Sequence, residues 1–203
     1  TDYVEQNPSD WWICVTQSIR KVIEDAHADK ADIGGVGISA HGTGVLPVDN
    51  EGLPLRNSII WMDRRAKAET QFIRDHAEQE INEIYGNSVD SYHPVPAILW
   101  IKNNEPEIYR KTECFLPVES YINFKLTGVY SISTNEAGLL HVFDNQNMVW
   151  SERVASLIGI DIDKLPPLFD GSEVIGGVTK KAAEETGLAA GTPVVAGALD
   201  TDR

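Results

Sequence analysis

The sequence predicts an α/β fold in which short strands alternate with amphipathic helices. Three observations predict it. Stretches rich in glycine and β-branched residues, clearest at residues 33–39 and 194–198, read as strands. Segments with apolar residues at helical spacing lie between them, the first carrying Trp12, Val15, Ile19, Val22 and Ile23 on one face. Proline, glycine and asparagine separate the two kinds of segment, with no internal repeat or low-complexity tract.

In chain order, Asn7-Pro8 opens the first helix as N-cap and first-turn proline. Residues 33–39 read as a buried strand and residues 45–48 as a second. Asp49-Asn50-Glu51-Gly52 is a turn, and residues 57–61 return as the second arm of a hairpin-like pair. A charged helix is expected over 64–84, ended by Gly86. Pro94 and Pro96 precede a helix at 97–102, and Glu105-Pro106-Glu107 starts another. A short strand at 115–117 leads to a helix at 119–126, stopped by Thr127-Gly128, then to an extended run at 129–133. Ser151 caps a helix at 152–158, and Pro166-Pro167 marks a loop. A helix at 180–186 ends on Gly187, and residues 194–198 form the last strand. Asp200 follows it, at the strand end where open α/β sheets place ligands.

Composition limits the function. The 203 residues carry 17 Lys+Arg against 31 Asp+Glu, a formal charge of -14, with 42% hydrophobic residues. That apolar content excludes disorder and supports a sizeable core. The acidity argues against nucleic acid or a membrane surface as partner. No apolar run is long enough to span a bilayer, and Thr1-Asp2-Tyr3-Val4-Glu5 is neither a signal peptide nor a methionine start. Both ends read as cut. Cys14 and Cys114 are expected as unpaired, buried thiols in a reducing compartment.

No Walker-type phosphate loop, GxGxxG or HExxH occurs, and the five histidines show no ligand spacing. Asp161-Ile162-Asp163 opens like an EF-hand but lacks its glycine and closing glutamate. Gly37-Ile38-Ser39-Ala40-His41 is a near miss for a nucleophile elbow on Ser39; the chain continues as loop and strand, so the required strand-to-helix turn is absent. His41-Gly42-Thr43-Gly44 combines backbone that can approach a ligand with two side-chain donors, against the plain alternative of a tight turn. Trp61-Met62-Asp63-Arg64-Arg65 reads as a core tryptophan, an N-cap and a solvated basic pair, or as part of a site. Asp200 reads as a helix cap or a functional carboxylate.

Together these segments carry a resemblance. Glu5-Gln6-Asn7-Pro8 with Trp11-Trp12, Val36 to Gly42, Ile60 to Ala66, Tyr92-His93-Pro94 with Leu99-Trp100, and Glu105-Pro106-Glu107 occur in order. Leu116-Pro117, Leu126-Thr127-Gly128, Gly171-Ser172-Glu173 with Gly176, and Gly191 to Gly197 leading into Asp200 complete the set. The chain resembles the FGGY carbohydrate kinases, especially the xylulose-type pentulose kinases, over nearly its whole length.

The resemblance implies an actin-like, ribonuclease-H-like α/β fold, with this chain as part of the N-terminal domain of a two-domain sugar kinase. Residues 1–198 would be that domain, without its first strands and Gly-Thr phosphate loop; residues 199–203 would start the crossover to an absent nucleotide domain. It implies ATP-dependent phosphorylation of a sugar or polyol with magnesium, Asp200 as general base, in the cytoplasm. His41, Gly42, Thr43, Trp61, Asp63, Tyr92 and Thr201 would be the substrate side. The implied partner is a small-molecule sugar or polyol; a homodimer is allowed. The fragment alone is expected to be inactive. The alternative within the same fold is a non-catalytic sugar-binding member.

One departure bears on substrate. Where xylulose-type members carry Met-His and glycerol kinases Arg-Glu, this chain has Gly42-Thr43. The smaller pair leaves more room or needs another donor, from His41 or His93. The Gly37–Gly42 and Asp63–Ala66 segments are most similar to the L-xylulose-type branch.

Overall fold

Caps and prolines set the first element boundaries. After β1 (Glu5–Gln6), the Asn7 side chain accepts the Ser9 amide and Pro8 begins α1 (Pro8–Asp25). The structure, a computed structural model, describes residues 2–86 and 88–201; Asp202 and Arg203 of the expected crossover lie outside them. Of the predicted α1 face, Trp12 is buried and Val15, Ile19 and Ile23 half-buried, whereas Val22 is 66% exposed. It lies on the rim of an open groove rather than under a neighbour.

The predicted strand at 33–39 is less regular and less buried than its composition implies. Its ladder is confined to a bridge at Val36 and to β2 (Ser39–Ala40), and Gly34, Gly35, Gly37 and Ser39 are exposed. Small residues there bring little side-chain area to bury. β3 (Leu46–Val48) does turn at Asp49, whose carboxylate accepts the Glu51 and Leu53 amides, with Gly52 at φ 75°. The hairpin is only partial. Val45 bridges Ile59, but β4 (Ser58–Ile59) runs antiparallel to β1, and β3 to β5 (Cys114–Leu116). Long-range burial overrides the local turn, since Leu46 and Leu116 face each other in the core.

α2 (Lys67–Ile84) starts three residues later than expected, because Asp63 and Arg65 are held in an ion pair before it. α3 (Pro94–Asn104) starts three residues earlier, using both prolines in its first turn. α4 (Pro106–Lys111) and α5 (Val118–Thr127) follow, the latter ending on Gly128 at φ 76°. Of the extended run after it, only β6 (Ile132–Ser133) pairs. The short α6 (Thr134–Ala137) and the hairpin of β7 (Phe143–Asp144) and β8 (Val149–Trp150) were not legible as periodic segments. α7 (Glu152–Ile158) has the Ser151 cap, and β9 (Leu168–Phe169) pairs parallel with β6.

The last third builds the ladder that positions the site. β10 (Val174–Gly177) runs antiparallel to β11 (Pro193–Val195), with α8 (Lys180–Thr186) between them. The predicted strand breaks at Gly197, at φ 94°, and resumes as β12 (Ala198–Leu199), parallel to β2. A Cβ at Gly197 would lie 2.3 Å from the Ile38 carbonyl oxygen, so only glycine lets the strands approach this closely.

Two apolar clusters support this frame. One gathers Ile73, Ile81, Ile98, Ile101, Phe143 and Val154 among α2, α3 and α7. The other gathers Trp12, Leu46, Leu116, Ile122, Val194 and Ala196 under α1, α5 and α8. Neither cysteine is paired: Cys114 is buried as expected, and burial pushes its thiol up to about 12, but Cys14 is exposed on the outer face of α1.

Candidate functional site

The ladder fixes where Asp200 stands. Val195 N–H donates to Val36 O, Ala198 N–H to Ile38 O, and Asp200 N–H to Ala40 O at 3.0 Å. Each bond advances both strands, so the end of β12 arrives beside the loop that leaves β2. Asp200 and Thr201 thereby share a cavity of about 400 Å³ with His41, Gly42, Thr43, Trp61, Tyr92, Leu139 and Leu199. That volume suits a small ligand. A groove of about 470 Å³ beside α1 is larger, but Ser18 is the one polar side chain among its described lining residues. Of these two, the smaller brings a carboxylate, hydroxyls, an imidazole and aromatic faces together.

Its floor is the turn after β2. A Cβ at Gly42 would lie 2.4 Å from Leu139 Cδ1 and 2.7 Å from Leu199 Cδ2. The missing side chain therefore leaves no extra room: two leucines fill the space, which answers the expectation drawn from the small residue pair. Thr43 is 7% exposed and sits at φ 62°, a left-handed conformation that a β-branched residue adopts at a cost of order 1–3 kcal/mol. Its amide donates to Glu136 Oε1 at 3.1 Å. Its hydroxyl is buried and has no partner among the described residues. His41 Nδ1 lies 3.2 Å from the Gly42 carbonyl oxygen, so the imidazole is turned toward its own loop.

The rim is aromatic and open. Trp61 is 49% exposed and Tyr92 36%, and the Arg64 guanidinium lies 5.0 Å from the Tyr92 ring centre. Arg64 also donates to the Trp61 and Asp63 carbonyl oxygens, joining the two sides of the rim. The two rings offer apolar faces at the mouth of the cavity.

Two expected residues are not brought to the cavity. Asp63 is 2% exposed, and its carboxylate accepts the Val4 amide, the Arg65 amide and the Arg65 guanidinium at 2.7 Å. Arg65 also pairs with Glu5 at 2.8 Å and lies over the Tyr3 and Trp100 rings. Opposite charges in one turn consume each other, so Asp63 faces the core behind Trp61 and is corrected here from substrate contact to anchor. His93 is buried too. Its Nδ1 accepts the Asp90 amide at 3.0 Å, its ring stacks on Tyr92 at 4.2 Å, and burial lowers its pKa. Of the two candidate extra donors, only His41 lines the cavity.

Sequence reading missed Leu139, Leu199 and Glu136. Leu199 is signalled by its place before Asp200. The other two come from the region around α6, whose four residues carry no periodic signal. Ser39 sits in the β2 ladder opposite Ala198, with no helix behind it to form a nucleophile elbow.

Comparison with known proteins places this geometry. The chain is 31% identical over 201 residues to a xylulose kinase of Bacillus subtilis, covering 98% of this chain and 40% of that protein. It is 35% identical over 207 residues to a probable L-xylulose kinase of Pasteurella multocida, covering 98% and 42%. The crystal structure of a xylulose kinase from Rhodospirillum rubrum superposes with a TM-score of 0.90 at 27% identity, over 98% of this chain and 41% of that one. The chain thus spans about two fifths of the length of these relatives, and its fold is that of the actin-like ATPase sugar kinases. The description that matches residues 1–203 is the N-terminal domain of the FGGY family of carbohydrate kinases, and this chain belongs to that family.

Proposed function

We propose that this chain is the sugar-binding domain of an ATP-dependent kinase that phosphorylates a ketose, with a ketopentose as first candidate, or a polyol. One observation carries the reading. A carboxylate held by a strand end, Asp200, opens onto the same cavity as Thr43, the His41 imidazole and two aromatic faces.

In this reading the sugar lies on Gly42 and Thr43, with its C–H face against Trp61 and Tyr92. His41 hydrogen-bonds its hydroxyls. Asp200 accepts the proton of the attacking hydroxyl, a role worth about 10²–10⁴ in rate. ATP supplies the γ-phosphoryl group, and magnesium offsets phosphate charge. Asp200 is the one carboxylate among the described cavity-lining residues. With Asp200 assigned as the base and no cluster of three or more candidate ligands among the described residues, magnesium would be held by the phosphates and not by side chains of this chain. The nucleotide contacts are assigned to a second domain following residues 199–203, and the phosphate loop to strands preceding residue 1. The 203-residue piece alone is then expected to turn over no sugar.

The test uses the complete kinase. A thermal-shift screen against ketopentoses, ketohexoses and polyols identifies the sugar by stabilisation of the folded state. Asp200→Asn is then expected to lower kcat by about 10²–10⁴ while retaining that shift. Near-normal turnover by Asp200→Asn, or no shift with any sugar or polyol, would sink the reading.

A further inference from the structure

We propose that Glu136 is a positioning residue: its carboxylate holds the Gly42–Thr43 turn in the backbone conformation that shapes the sugar pocket. It is not a catalytic residue, because it does not line the cavity and acts through Thr43.

The turn needs an external hold. Thr43 is β-branched, and φ 62° is a conformation its side chain opposes. Gly42 contributes no side chain of its own to resist rearrangement. What fixes the turn is therefore what touches its backbone, and Glu136 reaches both residues. Its Oε1 accepts the Thr43 amide at 3.1 Å, and its Oε2 would lie 3.3 Å from a Cβ at Gly42.

Glu136 is itself held. It is buried, and its amide donates to Ser133 Oγ at 3.2 Å. The Ser133 amide in turn donates to Glu119 Oε1 at 3.3 Å. Glu119 Cδ would lie 3.4 Å from a Cβ at Gly197, in the bend that leads to Asp200. A buried polar line thus runs from beneath the Asp200 strand, through Glu119, Ser133 and Glu136, to the pocket floor. Thr43 lines the cavity, so the backbone conformation that Glu136 holds sets the shape of the pocket floor. Loss of Glu136 should therefore weaken sugar binding equally in the ground and transition states, which raises KM and leaves kcat.

The kinetic half of this inference rests on the sugar-kinase reading; the structural half does not, and the experiment separates them. Glu136→Ala and Glu136→Gln are compared in the complete kinase, Gln keeping an acceptor oxygen at nearly the same volume. Hydrogen exchange of residues 41–46, sugar KM, ATP KM and kcat are measured. Glu136→Ala is expected to speed exchange at the Thr43 amide and raise sugar KM, each by about tenfold, the scale of one hydrogen bond. ATP KM and kcat should stay within about threefold, and Glu136→Gln should restore exchange and sugar KM to within about threefold of wild type. If Glu136→Ala does not fold, Glu136→Asp, which withdraws the acceptor by one methylene, should show the same pair of effects. Unchanged exchange, or a fall in kcat at constant sugar KM, overturns the proposal. Faster exchange in a protein whose wild type phosphorylates no sugar supports the hold on the turn and overturns the kinase reading instead.

Discussion

The floor of the cavity is close-packed and buried, with Gly42 against Leu139 and Leu199, whereas the rim, Trp61 and Tyr92, stands half in solvent. Each is backed by a buried carboxylate, and the two carboxylates do different work. Glu136 faces the backbone of the floor. Asp63 faces away from the cavity, into Arg65 and the amide of Val4, and so ties the rim to the N-terminal segment. The difference teaches that an acidic residue beside a site can serve the site through geometry alone. Rigid shape comes from the floor, and adaptable contact area from the rim.

The comparison can be broken from either side. The largest effect on folding is expected at the anchor. Asp63→Ala leaves Arg65 buried with Glu5 as its remaining partner and should cost about 3 kcal/mol in a urea titration, the low end for breaking a buried pair. A loss under about 1 kcal/mol would mean the rim is held by Tyr3 and Trp100 packing instead. At the floor, Gly42→Ala forces a methyl into two leucines and should cost about 1–3 kcal/mol, with a rise in sugar KM. A neutral result would show that the floor is soft.

Behind the rim, His141 is fully buried, with the His93 ring 4.4 Å away. Burial, and then His93, push its pKa down to about 3 from the usual 6.5. Its stabilising contribution is complete above pH 6.5 and is lost as pH falls toward 3, because the unfolded chain takes up the proton first. The wild type should lose on the order of 2 kcal/mol between pH 7 and pH 5 on this account. His141→Phe should flatten that slope in the same titration. At the rim itself, Trp61→Ala should raise sugar KM by about tenfold with little change in stability, since half of the ring is already exposed. The smallest effect belongs far from the cavity. Arg153→Ala, which removes an exposed cation paired with Glu80 and Glu83, should change stability by less than about 0.5 kcal/mol.

Much of the fold was legible because local chemistry wrote it. Asn7 and Ser151 cap helices as their side chains require, and Gly128 and Gly187 end them in left-handed conformations. Strand pairing was not legible in the same way. The turn at Asp49–Gly52 forms, yet β3 takes its main partner from β5, far along the chain, because burying Leu46 against Leu116 outweighs the nearer arm. Within the site, Asp200 and the Gly42–Thr43 turn could be marked from their places after strands. Glu136 and Leu139 could not, since a four-residue helix has no periodicity to read and their roles exist only by contact.

By itself the sequence determined the alternation of strands and helices, most helix ends, and the ordered segments that mark a carbohydrate-kinase domain, because caps, glycines and apolar spacing act within a few residues. Only the tertiary structure decided which carboxylate meets the cavity. Asp63 and Asp200 are equally plausible as text, but Arg65 and the Val4 amide capture one. The β2–β12 ladder delivers the other to the open end of the sheet, and charge pairing and strand register are properties of the folded chain.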